Sequence, residues 1–279
     1  MPRTATIPRY AMSRERRVVL FLVEGSSEEA SLVAPFRRWF ASRGGDGAGS
    51  SVGAGDGSGS PALDTRSETF YCDVTTVHMF PGDATFSVRS NVRDTVRQFV
   101  LDRIESRHAY DWADIDRIVH IVDLDGAFVP DDCIRQGTGR GFVYGEDFIA
   151  ARKPESVAAR NREKAASLRD LVECRELTYK CRRVPYGVYF LSRNLEHALY
   201  GLTRDCTNRE KRLLSTAFDR KIGQRPQAFA RLLRSDAVRV PGDDLDATWE
   251  YVQQGTRSLE RGSNLFLVLE QGEMEVARP

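Results

Sequence analysis

The sequence predicts an α/β protein in which helices flank a mostly parallel β-sheet, followed by a mainly helical C-terminal part. Short apolar runs that end in glycine or acidic residues alternate with longer amphipathic segments from Arg17 to Leu202. Strands that alternate with helices favour parallel pairing through helical crossovers. After Leu202 the helical pattern dominates. We therefore expect an N-terminal tail at 1–16, an α/β domain at 17–202 and a helical region at 203–279.

The first strand and helix are predicted at "RRVVLFLVEG" and "SSEEASLVAPFRRWFASR". The strand is a continuous apolar run that Gly25 ends, which is typical of a strand buried on both faces. Ser26 or Ser27 can cap the helix, and apolar residues recur along one of its sides. Pro35 lies inside this pattern, so we expect a kink or an early break there.

A Gly/Ser-rich stretch separates this unit from the next strand. Residues 44–62 contain almost nothing that can bury a core, so we predict a flexible insertion. Strand character resumes at "ETFYCDVTTVHMF", and "SVRSNVRDTVRQFVLDRIESR" is a strongly amphipathic helix. A third strand, "RIVHIVD", then ends at Asp123.

The second half is less regular. We expect "RQGTGRGFVYGED" to be mobile, the basic stretch "ESVAARNREKAASLRDLVECRELTYKCRR" to be one helix, and "VPYGVYFLS" to be a strand before a helix at "RNLEHALYGL". Residues 208–261 show a helical pattern. The terminal "NLFLVLE" fits a last strand or a short helix.

Composition excludes several classes of protein. The 279 residues carry a net charge of +1, so any surface that attracts nucleic acid must be local. No apolar run reaches the ~20 residues of a membrane span, and no signal-peptide core follows the basic N-terminus, so we expect a cytoplasmic protein. The five cysteines form no C-x-x-C pair and have no matched histidines, which argues against structural zinc and a disulfide framework. His120 and His197 are expected to be structural.

Acidic residues stand where the predicted strands end. Glu24 closes the first strand, Asp123 and Asp125 close the third, and Glu196 follows "VYFLS". The carboxyl ends of parallel strands share one edge of the sheet, where ligands bind. Several carboxylates at one edge repel each other unless a cation joins them, and an all-oxygen set favours Mg²⁺ or Mn²⁺. A purely structural interpretation is that these acids cap helices. Glu28 would then only stabilise a helix N-terminus through its negative charge.

The order and spacing of "FLVEGSSEE", "HIVDLDG" and "FLSRNLEHAL" resemble the Toprim domain of topoisomerases, primases and overcoming-lysogenization-defect nucleases. The resemblance covers residues 17–202. It implies a Mg²⁺-dependent nuclease in which Glu24 is the general acid/base and Asp123 and Asp125 hold the metal, with Glu28 or Glu196 completing its shell. It further implies a role in prokaryotic defence against phage, a possible partner ATPase and a possible homo-oligomer.

A nuclease also needs positive charge beside its acidic centre, because phosphate contacts supply most of the affinity. The basic run between residues 152 and 183 is the best local source, and the loop 135–140 would be a mobile flap. The candidate nucleic-acid contacts are Arg152, Lys153, Arg160, Arg162 and Lys164. An ordinary solvated helix face explains the same run equally well. The sequence does not separate DNA from RNA.

Two other functions stay open. "VDLDGAF" also resembles the first motif of haloacid-dehalogenase phosphatases, in which Asp123 would be the nucleophile and Asp125 the acid/base. The later candidates for that family are Ser192, Lys211, Asp243 and Asp244. Against it, Ala127 replaces the usual threonine, and a β-α-β-α unit precedes the motif. The other possibility is a Toprim-like module that binds a ligand without turnover, although "EGSSEE" is neither a dinucleotide fingerprint nor a P-loop.

Overall fold

The computed structural model describes residues 17–44, 65–72, 88–139 and 141–276. Predictions for the tail at 1–16 and for the insertion after Gly44 lie outside these ranges, as does "DVTTVHMF". The strands are β1 (Arg17–Val23), β2 (Thr65–Tyr71), β3 (Ile115–Asp123), β4 (Ile134–Gln136), β5 (Val143–Tyr144), β6 (Ile149–Ala151), β7 (Glu176–Tyr179) and β8 (Arg182–Leu191). The α-helices are α1 (Ser26–Glu28), α2 (Ala34–Gly44), α3 (Val88–Arg107), α4 (Pro154–Glu173), α5 (Leu195–Tyr200), α6 (Asn208–Phe218), α7 (Pro226–Leu233), α8 (Leu245–Val252) and α9 (Phe266–Val276).

The main sheet has the strand order β2-β1-β3-β8-β7. The first four strands in this order run parallel, and β7 pairs antiparallel with β8. Helices pack on both faces of the sheet, so the α/β class with a mostly parallel sheet is confirmed. The carboxyl ends of β1, β3 and β8 consequently lie side by side at one edge.

Alternation along β1 divides the core into two layers. Val18, Leu20 and Leu22 face the cluster that contains residues of α3 and α4. Val19, Phe21 and Val23 face the opposite cluster, where α2 packs beside α7 and α9. Successive strand side chains point to opposite faces, so a continuous apolar run is what a strand covered on both sides requires. Helices beyond residue 202 thus complete the core of the sheet, while the predicted domain boundary there stays a prediction.

Pro35 produces no break in the first helix. A π turn at Glu29–Val33 joins α1 to α2, so the helix widens immediately before the proline and then continues. Proline lacks the N–H of the regular helical ladder and crowds the preceding turn. A π turn, in which the regular ladder is already interrupted, accommodates it.

Two local predictions need correction. The basic helix ends at Glu173, and "RELTYKCRR" forms the β7–β8 hairpin instead. Lys180 and Cys181 in the hairpin turn have φ of 45° and 65°, as a type I′ turn requires. The glycine-rich loop contains β5 and belongs to a small sheet of order β4-β6-β5. Of the two alternatives for "NLFLVLE", the helix is confirmed, because this segment leads into α9.

Phe229 of α7 offers a direct test of the shared core. It is fully buried, and its ring meets that of Phe36 edge-on with centroids 5.0 Å apart. We expect Phe229→Ala to lower the free energy of unfolding by about 3–5 kcal/mol, because it opens a cavity beneath the sheet. Urea denaturation measures the loss. Leu213→Ala, at a side chain that is 61% exposed, is the control and should change stability by less than about 0.5 kcal/mol. Equal losses in the two variants would contradict a core that includes α7.

Candidate functional site

The predicted acidic residues meet at the carboxyl edge of the parallel strands. The backbone N–H of Asp123 donates a hydrogen bond of 3.1 Å to Oε1 of Glu24, which follows the neighbouring strand β1. Neither residue caps the next α-helix: Gly25 is the N-cap of α1, and Lys153 is the N-cap of α4, the first α-helix after β3. The capping interpretation therefore fails for Glu24, and the two carboxylates are neighbours as the strand pattern predicts.

Lys164 of α4 lies within this acidic group. Its Nζ is 2.7 Å from Oδ2 of Asp125 and 4.0 Å from Oε1 of Glu24, and its side chain is only 3% exposed. Burial by itself lowers the pKa of Lys164, but attraction to Glu24 and Asp125 outweighs it, so the pKa is raised. Lys164 is therefore a charged counter-ion of the acidic group, and this buried position differs from the surface nucleic-acid contact that the sequence suggested.

Burial and neighbouring negative charges act together on Asp123. Burial raises its pKa well above the usual value, and the negative charges of Glu24, Asp125 and Glu28 raise it further. Its Oδ1 is buried and has no hydrogen-bond partner among the described residues. An orphaned buried oxygen is costly, and such atoms concentrate at functional sites.

Glu28 and Glu196 extend the group on its other side. Both are buried, and Nζ of Lys211 in α6 lies 3.2 Å from Oε2 of Glu196. Oε1 of Glu196 has no hydrogen-bond partner within the described ranges. Burial raises the pKa of Glu28, and the charge of Glu196 adds to this effect. A Cβ at Gly25 would lie 3.0 Å from Oε2 of Glu28, so glycine gives the Glu28 carboxylate room against the backbone.

The turn after β3 holds Asp125 in an unusual conformation. Asp125 has φ of 48° and Gly126 has φ of 74°, and a side chain is seldom accommodated in this left-handed region. The N–H of Asp125 donates to the carbonyl of Arg193 at 2.8 Å, and Arg160 Nη2 donates to the carbonyl of Asp125 at 2.9 Å. Asn161 donates to the carbonyl of Gly126 at 2.9 Å. Several elements therefore fix the turn, as a preorganised site requires.

The other predicted basic residues lie in different surroundings. Arg152 and Lys153 are exposed just before α4, Arg160 is half-buried beside the Asp125 turn, and Arg162 is exposed and paired with Asp131. Arg152, Lys153 and Arg160 border one cleft, which Arg162 does not line. The basic run thus contains three kinds of residue. Lys164 is a buried counter-ion, Arg152, Lys153 and Arg160 line a cleft, and Arg162 forms a solvated ion pair.

Residues needed for the phosphatase alternative are mostly elsewhere. Asp244 caps α8, and Asp243 pairs with Arg239 with its side chain 97% exposed. Ser192 Oγ accepts a hydrogen bond from the N–H of Gly262. Of the later candidates, only Lys211 reaches the acidic group, where it contacts Glu196.

The two candidate structural histidines are buried. Nδ1 of His120 lies 2.6 Å from the Tyr186 hydroxyl, and burial lowers the pKa of His120 to about 3. Burial, followed by repulsion from Arg193, lowers the pKa of His197 to about 4. Both rings are therefore neutral at neutral pH, as structural histidines are.

The acidic group fits a divalent cation by its chemistry. All its donors are carboxylate oxygens, and two of them, on Asp123 and Glu196, are buried without hydrogen-bond partners in the described chain. As arranged, however, the described residues contain no group of three or more His, Cys, Asp or Glu side chains that could hold one ion. Binding of a cation by several of these acids would need side-chain movement.

Comparison with known proteins identifies no relative. No family model, curated protein or solved structure matches this chain. Among the described residues, no helix has the length and apolar character needed to cross a membrane. The interpretation of the site therefore depends on its geometry and on the sequence motifs.

The raised pKa of Asp123 predicts a pH-dependent cost of folding. Below the unfolded-state pKa of about 3.9, the Asp123 carboxyl is protonated in both the folded and the unfolded protein. Above that pH, the unfolded protein ionises more readily than the folded one, so the free energy of unfolding falls relative to that of a protein with a neutral side chain at this position. We therefore expect Asp123→Asn to raise the free energy of unfolding near neutral pH, with a gain that shrinks as the pH falls toward about 4.

Urea unfolding of wild type and Asp123→Asn between about pH 5 and about pH 8 measures this effect. Asp243→Asn removes the same charge from an exposed site and is the control, which should show little gain. A loss of stability in Asp123→Asn across the whole range would contradict the prediction.

Proposed function

We propose that this chain is a Toprim-like nuclease that hydrolyses phosphodiester bonds with Mg²⁺ or Mn²⁺. The observation that supports the proposal most is the meeting of Glu24, Asp123 and Asp125 at the carboxyl edge of adjacent parallel strands, with a buried, unpartnered Asp123 oxygen at its centre. This edge is where α/β sheets bind ligands. The same residues carry the resemblance in the sequence.

In this proposal Asp123 and Asp125 hold the cation, with Glu28 or Glu196 completing its shell. The bound ion would neutralise the scissile phosphate and favour the charged leaving oxygen. The pKa shift of Asp123 supports this role, because a carboxylate that is costly to ionise alone gains most from a nearby cation. Glu24 keeps 18% of its side chain exposed and is the candidate for moving a proton at the reacting centre.

Lys164 and the Asp125 turn have a positioning role in this site. The Lys164 ammonium orients Asp125 and reduces the repulsion between Asp125 and Glu24. The hydrogen bonds from Arg160 and Asn161 hold the backbone of the turn. The carboxylates are therefore presented on a fixed frame, which limits the reorganisation needed for catalysis.

The phosphatase and the non-catalytic module are the alternatives. The phosphatase needs later acidic residues beside Asp123, but Asp244 caps α8 and Asp243 is an exposed partner of Arg239, both away from the strand edge. A role in prokaryotic defence, a partner ATPase and a homo-oligomer remain proposals that depend on the Toprim resemblance.

A substitution at Glu24 distinguishes the proposed nuclease from the phosphatase. We expect wild type to cleave nucleic acid with Mg²⁺ or Mn²⁺, and Glu24→Gln to lose about 10²–10⁴-fold in rate, as loss of a general acid/base does. Labelled single-stranded DNA, double-stranded DNA and RNA are the substrates, with p-nitrophenyl phosphate in parallel. Asp243→Asn, at an exposed acid away from the strand edge, should cleave like wild type. Monoester hydrolysis that survives Glu24→Gln would favour the phosphatase instead.

Metal binding has a readout that does not depend on activity. A ligand that binds only the folded state stabilises it, by about 2.7 kcal/mol at a concentration of 100 Kd. We expect Mg²⁺ or Mn²⁺ to raise the melting temperature of wild type, and to raise it much less in Asp123→Asn and Asp125→Asn. Asp243→Asn should keep the full shift. Identical shifts in all four proteins would exclude the acidic group as the binding site.

A further inference from the structure

A cleft of about 450 Å³ opens beside the acidic group. It lies between the small sheet and the start of α4, and its volume is in the ~300–1,000 Å³ range of small-molecule and cofactor sites. Its walls combine an aromatic ring, aliphatic side chains and three cations. The residues that matter here are Phe142, Ala151, Arg152, Lys153, Val157 and Arg160.

Phe142 presents an aromatic surface at this cleft. The side chain is 38% exposed although it is large and apolar, and the next residue, Val143, is 58% exposed. The guanidinium carbon of Arg160 lies 4.7 Å from the centroid of the Phe142 ring. Aromatic rings accompanied by arginine are the usual platform on which proteins stack unpaired bases.

Arg152 and Lys153 supply positive charge at the same cleft. Both side chains are exposed, and neither has an ion-pair partner among the described residues. They directly precede α4, whose N-terminus adds the positive end of a helix dipole. Phosphate oxygens are the natural partners of exposed arginine and lysine beside a helix N-terminus.

Arg160 joins the cleft to the acidic group. Its guanidinium lies near the Phe142 ring, and its Nη2 donates to the carbonyl of Asp125 at 2.9 Å. A nucleotide in the cleft would therefore be adjacent to a phosphate at the acidic edge. Arg160 therefore contacts both the cleft and the turn that carries Asp125.

From this arrangement we propose that the cleft is a subsite for one unpaired nucleotide, with its base stacked on Phe142 and its phosphate held by Arg152 and Lys153. The inference depends on the proposed nuclease function and deepens it, because it selects single-stranded or locally unpaired nucleic acid as the substrate. Bases within a duplex are stacked on each other, and extruding one costs free energy. An intact duplex would therefore use this cleft poorly.

The test is a binding titration of full-length Glu24→Gln protein with Mg²⁺, so that turnover does not consume the probe. Fluorescein-labelled oligothymidine should bind more tightly than a hairpin duplex with the same number of phosphates. Adding Phe142→Ala should weaken oligothymidine binding about 10-fold, because base–aromatic stacking is lost, and should leave the salt dependence unchanged. Val143→Ala, at the neighbouring exposed apolar residue, is its control.

The phosphate contacts have a separate signature. Each neutralised phosphate contributes about 0.7 to the slope of log K against log salt on single strands, so Arg152→Gln/Lys153→Gln, which releases the one phosphate held at the cleft, should reduce that slope by about 0.7. Lys180→Gln/Arg182→Gln removes the same charge at the hairpin turn, at the opposite end of β8 from the acidic edge, and should leave the slope unchanged.

Cleavage by the wild-type chain is measured in parallel. It distinguishes failure of the proposed subsite from failure of the proposed nuclease function. If wild type cleaves but Phe142→Ala binds oligothymidine normally, or the duplex binds more tightly, the subsite is overturned and the nuclease stands. If wild type cleaves nothing yet Phe142→Ala still weakens binding, the subsite is supported and the nuclease is not. Absence of oligothymidine binding, or stronger competition by polyglutamate than by unlabelled oligothymidine, overturns the subsite.

Discussion

The ion pair between Lys164 and Asp125 is the interaction on which the rest of the site depends. Its 2.7 Å contact brings a buried ammonium to an edge where Glu24 and Asp123 already lie side by side. Like-charged carboxylates this close are unfavourable unless a cation compensates them, and removal of one partner from a buried pair is strongly destabilising. Lys164 thus allows the strand ends β1 and β3 to carry acids and remain packed.

The same requirement explains the local backbone. Asp125 follows Asp123 by two residues but lies beyond the end of β3, and the left-handed conformation at Asp125 and Gly126 turns the chain there. Strain of this kind persists only where the surroundings fix it, and here the small sheet, α4 and Arg193, two residues after β8, all contribute hydrogen bonds. A Cβ at Gly126 would approach Cδ1 of Ile149 to 2.5 Å, so the turn and the small sheet constrain each other.

The sequence predicts the strand ends that carry the acidic residues more completely than it predicts the charges that surround them. Strand ends at Glu24 and Asp123 follow from the apolar runs, because their short length, their β-branched and aromatic residues and the glycines that follow distinguish buried strands from helices. A lysine in a basic run is expected at the surface, yet Lys164 shares one helical stripe with Val157, Leu168 and Leu171, which are buried. That spacing was the available signal for its burial. The Lys180–Cys181 turn had no such signal, because neither residue is the glycine or asparagine that marks a type I′ hairpin.

The charge balance of the acidic group links its structure to the proposed chemistry. Five carboxylates, those of Glu24, Glu28, Asp123, Asp125 and Glu196, lie in one group with two lysines, Lys164 and Lys211. Protonation is one way to reduce this excess of negative charge. The raised pKa values indicate that Glu28 and Asp123 are the carboxyls that favour it. A divalent cation is the other way, and it would favour the ionised form of the same two side chains. The raised pKa values thus fall on two of the acids that are proposed to hold the metal, while Glu24, with 18% of its side chain exposed, is accessible to solvent.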